Sequence, residues 1–106
     1  MVLYQQGDVL IKSIDQVPPE AIAEPEPVLA VGEVTGHQHR AIGADVRVLA
    51  FRRGRYLSAP TGAEVVHPEH KTIKIPPGNY VIERVREYDH FAEQNREANM
   101  VRTARD

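Results

Sequence analysis

Four of the five histidines in this 106-residue chain fall into two short clusters, Thr35-Gly36-His37-Gln38-His39 and His67-Pro68-Glu69-His70. On an extended chain, residues two apart project from the same face. His37 and His39 are therefore expected as neighbours able to grip one cation through imidazole nitrogens, at about 2.0–2.1 Å for zinc. In the second cluster a separation of three would put the side chains of a straight strand on opposite faces. Pro68 interrupts that regularity, and a bend there aims His67, Glu69 or His70 into a common pocket. Two such clusters about thirty residues apart are what a metal site assembled from two antiparallel strands would show. The expectation is a metal site built from His37, His39, His67 and His70, with Glu69 as a further ligand or proton carrier. Asp45 is a second carboxylate candidate.

Cysteine is absent, so any ligands are imidazoles and carboxylates, a set that suits zinc, iron, nickel, manganese or copper. With an open coordination position such a site supports Lewis-acid or oxygen chemistry, whereas a closed four-histidine site is structural. Ligation needs neutral imidazoles, so binding is expected to weaken as pH falls through about 6.5. The competing reading is a non-enzymatic interaction or accessory domain whose histidines are structural or surface groups.

The elements that must carry these residues read as strands. Val2–Tyr4 and Val9–Ile14 are apolar and β-branched around a Gln5-Gln6-Gly7-Asp8 turn. Val17–Pro27 holds four prolines and reads as a surface loop or extended connection, with one helical turn over Ala21–Glu24. Val28–Thr35, Val46–Phe51, Tyr56–Leu57, Glu64–Val66, Thr72–Ile75 and Tyr80–Val85 follow as strands, with turns at Arg52–Arg55, Pro60–Gly62 and Pro76–Gly78. Tyr80 and Ile82 should share one face of the last of these. Residues 89–106 lack Gly and Pro and are expected as a short C-terminal helix or tail capped by Asp89. Short strands and Gly/Pro turns without long amphipathic helices predict a mainly β domain over residues 1–88, a small antiparallel barrel or sandwich.

Composition narrows the function classes. Hydrophobic residues are 42% and charged residues 26%, an ordinary balance for a soluble globular domain. Trp is absent and aromatics are 6%, so the core must come from Val, Ile and Leu. The net charge of −2 argues against a nucleic-acid-coating protein, and the basic hairpin Phe51–Tyr56 is read as a solvated tip guarding a sheet edge. No apolar run approaches the roughly 18 residues of a membrane span, and no secretory leader is visible, so a cytoplasmic location is expected. Exposed sheet edges favour a homo-oligomer or a protein partner. Ser13 and Ser58 sit in no nucleophile motif, and neither GxGxxG nor GxxxxGK[ST] occurs.

Gly32-Glu33-Val34-Thr35-Gly36-His37-Gln38-His39 resembles the first cupin motif, and Gly54 with Pro60-Thr61-Gly62 resembles the opening of the second. The resemblance spans residues 28–70 and implies a cupin-like, truncated β-barrel with His37, His39 and His67 as imidazole ligands of a divalent metal. Gly43 and Ala44 stand where that motif carries its acidic ligand, with Asp45 just after. The pattern TGHxH, HxEH, IxxPPGxY and REYD is also similar to small uncharacterised proteins of bacteria and their phages.

Overall fold

The computed structural model describes residues 2–32 and 34–85. The expected C-terminal helix or tail over 89–106, and the domain boundary at residue 88, lie outside them. Ten strands are formed: β1 (Leu3–Gln6), β2 (Val9–Ile14), β3 (Ile22–Ala23), β4 (Val28–Val31), β5 (Gln38–Ile42), β6 (Arg47–Phe51), β7 (Gly54–Ala59), β8 (Ala63–His67), β9 (His70–Ile75) and β10 (Gly78–Arg84). They make a six-stranded sheet, β1-β2-β10-β7-β6-β3, and a four-stranded sheet, β4-β5-β8-β9. All strand pairings in both are antiparallel. The sheets face each other as a sandwich and do not close into a barrel, which decides between the two expected architectures.

Alternation along the strands fills the space between the sheets. Val9, Ile11, Val48, Leu57 and Ile82 from one sheet and Leu29, Ala41, Val65 and Ile75 from the other are buried. Tyr80 is the one aromatic among the buried core residues described, so the core is aliphatic as the composition requires. Tyr80 and Ile82 do share the inner face of β10, while Glu83 is exposed.

Residues Ile22 and Ala23, inside the expected helical turn, form β3 instead and pair with Ala50 and Leu49 of β6. The flanking prolines hold the segment extended, and an available edge strand captures it.

Side chains bridge the two sheets at two places. At one, Gln6 of β1 reaches across to β8 and β9. At the other, Arg55 of β7 donates to the carbonyls of Val28 and Leu29 on β4 and pairs with Glu24 at 2.7 Å. The expected solvated basic tip therefore applies to Arg52 and Arg53, which form the turn and are exposed, and not to Arg55. Among the described residues no helix is long and apolar enough to cross a membrane.

Candidate metal centre

Strand register brings the histidines together. In the four-stranded sheet Ala30 pairs with His39, Arg40 pairs with Val66, and His67 pairs with His70. One step beyond the Arg40–Val66 pair sets His39 beside His67, so His39, His67 and His70 form a row across β5, β8 and β9. Their ring centroids are 4.2 Å apart for His39–His67, 4.6 Å for His67–His70 and 5.8 Å for His39–His70.

The HPEH segment is the tip of a hairpin, not a bent strand. Pro68 and Glu69 are its two turn residues. Between the pairs Val65–Ile73 and His67–His70 the register shifts, so two steps along β8 match three along β9. This irregularity places His70 opposite His67.

His37 lies just before β5. Backbone bonds from Gly32 N–H to His37 O (2.8 Å) and from Gly36 N–H to Gly32 O (2.9 Å) tie down its loop. The left-handed Gly36, at φ +76°, permits that tight path. The His37 ring stands 5.7 Å from that of His67. Its Nδ1 is buried without a hydrogen-bond partner and lies 3.5 Å from Glu69 Oε1. An open pocket lined by Gly36, His37, Arg40, His67 and Pro68 adjoins it.

The remaining polar groups fix the imidazoles chemically. Gln6, fully buried, donates from Nε2 to Val65 O and to Lys71 O, both at 2.9 Å. Its Oε1 faces His39 Nδ1 at 2.8 Å. Glu69 N–H donates to His67 Nδ1 at 3.0 Å, so neutral His67 carries its proton on Nε2. Burial lowers the pKa of His39 to about 4, with the neighbouring His67 adding to the effect, so this ring is neutral at pH 7.

Asp8, in the β1–β2 turn, splits its carboxylate between two neighbours. Oδ2 accepts from Arg84 at 2.9 Å, and Oδ1 lies 3.9 Å from His39 Nε2. Gly7 beside it packs directly under His70.

Convergence thus includes His37, His39, His67, His70 and Glu69. Asp45 stands apart, in the turn between β5 and β6 near Arg47, Ser58 and Asn79. The cause is local: its φ of +59° belongs to that turn, at the opposite end of β5 from His39. Gln6 and Asp8 belong to the site and were not singled out by sequence. Among the described residues, no three His, Asp or Glu side chains form a group placed to hold a metal ion.

The fold and site define a small antiparallel β-sandwich with a histidine row on the inner side of its smaller sheet. Residues 5–85 match the domain of unknown function DUF8820, and the chain belongs to that family. No curated protein and no solved structure matches it.

Proposed function

We propose that this domain binds a divalent transition metal at the histidine cluster, with His37, His39 and Glu69 as ligands and His70 as the further imidazole. The observation that carries the reading is the His37–Glu69 pair. A nitrogen and a carboxylate oxygen 3.5 Å apart are too far for a good hydrogen bond, and the nitrogen is buried without a partner. Two ligands at roughly 2.0–2.2 Å from a tetrahedral ion lie about 3.4 Å apart. An ion between them satisfies both groups.

His67 plays a different part while Glu69 N–H holds its Nδ1. It would become a ligand through Nδ1 only by giving up that bond. The cupin-like reading of His37, His39 and His67 as a ligand set belongs to this proposal on the same condition. Zinc, nickel, manganese and ferrous iron all suit imidazole–carboxylate ligation.

The test is metal analysis of untagged protein, with thermal unfolding in the presence of zinc, nickel or manganese. Zinc at a hundredfold excess over Kd should stabilise by about 2.7 kcal/mol. That corresponds to roughly 10 °C or more in Tm for a domain of this size. The shift should vanish in His37→Ala. Metal-free protein whose Tm no ion changes would remove the proposal.

A further inference from the structure

The Gln6 amide has one tenable orientation. Turned the other way, its oxygen would face the carbonyls of Val65 and Lys71, and two hydrogen bonds would become two repulsions. With Oε1 fixed toward His39, the 2.8 Å contact requires His39 Nδ1 to be the donor. A neutral ring with its proton on Nδ1 has a lone pair on Nε2. That atom faces Asp8 Oδ1 at 3.9 Å.

Neither atom of this second pair has a proton to give. Two neighbouring acceptors repel unless a cation, or a water donating both hydrogens, stands between them. Their 3.9 Å separation is about half an ångström wider than that of two ligands sharing one tetrahedral ion, about 3.4 Å, so a modest approach of the Asp8 side chain would let both hold one ion. Arg84 holds the other carboxylate oxygen, leaving Oδ1 for the histidine side.

We infer that Asp8 is a further metal ligand, paired with His39 Nε2, and that Gln6 is the positioning residue that sets the His39 tautomer for this role. The inference rests on the metal-binding reading above and deepens it. It assigns to the six-stranded sheet a part in a site otherwise built by the four-stranded one. The acceptor–acceptor pair also defines the ligand class: a divalent cation fits, whereas an anion or a carbonyl would meet repulsion from Asp8. The link from Gln6 to His39 follows a recurrent arrangement in which a ligating histidine donates its other ring N–H to an oxygen that fixes its orientation.

Two measurements on the full chain test this. In metal-free protein at neutral pH, long-range proton–nitrogen NMR should show His39 protonated on Nδ1 and bare on Nε2. The opposite tautomer would overturn the assignment of Gln6 without touching His37 and Glu69. Zinc titration by calorimetry should then show Asp8→Asn weakening affinity at least tenfold. Arg84→Met breaks the same ion pair but keeps the carboxylate, and should bind zinc within about threefold of the parent. If Asp8→Asn binds as tightly as the parent while Glu69→Gln binds poorly, Asp8 is no ligand and only this inference falls. If the parent chain takes up no zinc, both readings fall together.

Discussion

His67 and His70 stand directly opposite one another across the mouth of the β8–β9 hairpin, their ring centroids 4.6 Å apart. A separation of three, which divides two side chains between the faces of a straight strand, is also the spacing of the first pair flanking a two-residue turn. The hairpin thereby turns an unpromising interval into an adjacent pair, and His39 extends it into a row. The imidazoles are held by strand register, with the β1–β2 turn pressed against them from the other sheet.

That pressing surface is Gly7. It sits at φ +58°, and a Cβ there would come within 2.8 Å of His70 Nε2. Gly7→Ala should cost about 1–2 kcal/mol from the backbone angle alone and also displace the His70 ring. Gly7→Asn tolerates the angle better yet carries the same Cβ, so it isolates the contact. Both variants should show altered His70 ring resonances, and Gly7→Ala the lower Tm.

Acid should loosen the metal-free fold through His39. Its native pKa of about 4 lies below the ordinary value of 6.5, so the unfolded chain binds more protons between those limits. Stability from this residue is complete above about pH 6.5 and is lost as pH falls toward 4, an amplitude on the order of 3 kcal/mol. Urea midpoints measured at about pH 7, 5.5 and 4.5 should fall in that order. The decline should be much shallower in His39→Asn, and an equal decline there would assign it to other groups.

Much of the sandwich was legible because period-two alternation and Gly/Pro turns are local signals: the cores of β2, β6, β9 and β10 emerge from them directly. The two histidine clusters were legible for the same reason. Gln6 was not. A glutamine next to Gly7-Asp8 reads as part of a turn, whereas the turn is only Gly7 and Asp8, and Gln6 is the last, inward-facing residue of β1. Its partners are 59 and 65 residues away, and no local pattern announces a bond of that range. Asp8 was hidden likewise, since a Gly-Asp pair is ordinary turn chemistry until the opposite sheet is placed over it. β3 escaped because a two-residue strand depends on its neighbour and carries no periodicity of its own.

Arg55 makes the second bridge between the sheets and should behave as a structural clip. Its guanidinium supplies donors to the Val28 and Leu29 carbonyls and pairs with Glu24. Arg55→Met keeps much of the aliphatic stem but leaves those carbonyls without their donor, a loss of about 1–3 kcal/mol. Arg53→Met, in the exposed turn two residues earlier, should change stability by no more than about 0.5 kcal/mol. Amide exchange should accelerate selectively in β4 of the Arg55 variant. Uniform acceleration would mean that the residue supports the whole sandwich and not this edge.

The adjacent glutamines Gln5 and Gln6 give a matched pair for the last test, being the same residue type on opposite faces of β1. Gln6→Met removes the donors to Val65 O and Lys71 O and the acceptor for His39; the bonds to Val65 and His39 are buried and that to Lys71 is half-buried. Each buried polar group left unpaired costs about 1–3 kcal/mol, so the variant should lose at least about 2 kcal/mol in urea unfolding. Gln5→Met gives up a bond to the nearby Gly7 carbonyl at 2.8 Å, in a half-buried position where water can substitute; its loss should stay near 1 kcal/mol. Similar losses for both would show that water reaches the Gln6 side of the sandwich and that the amide does not hold the two sheets in register.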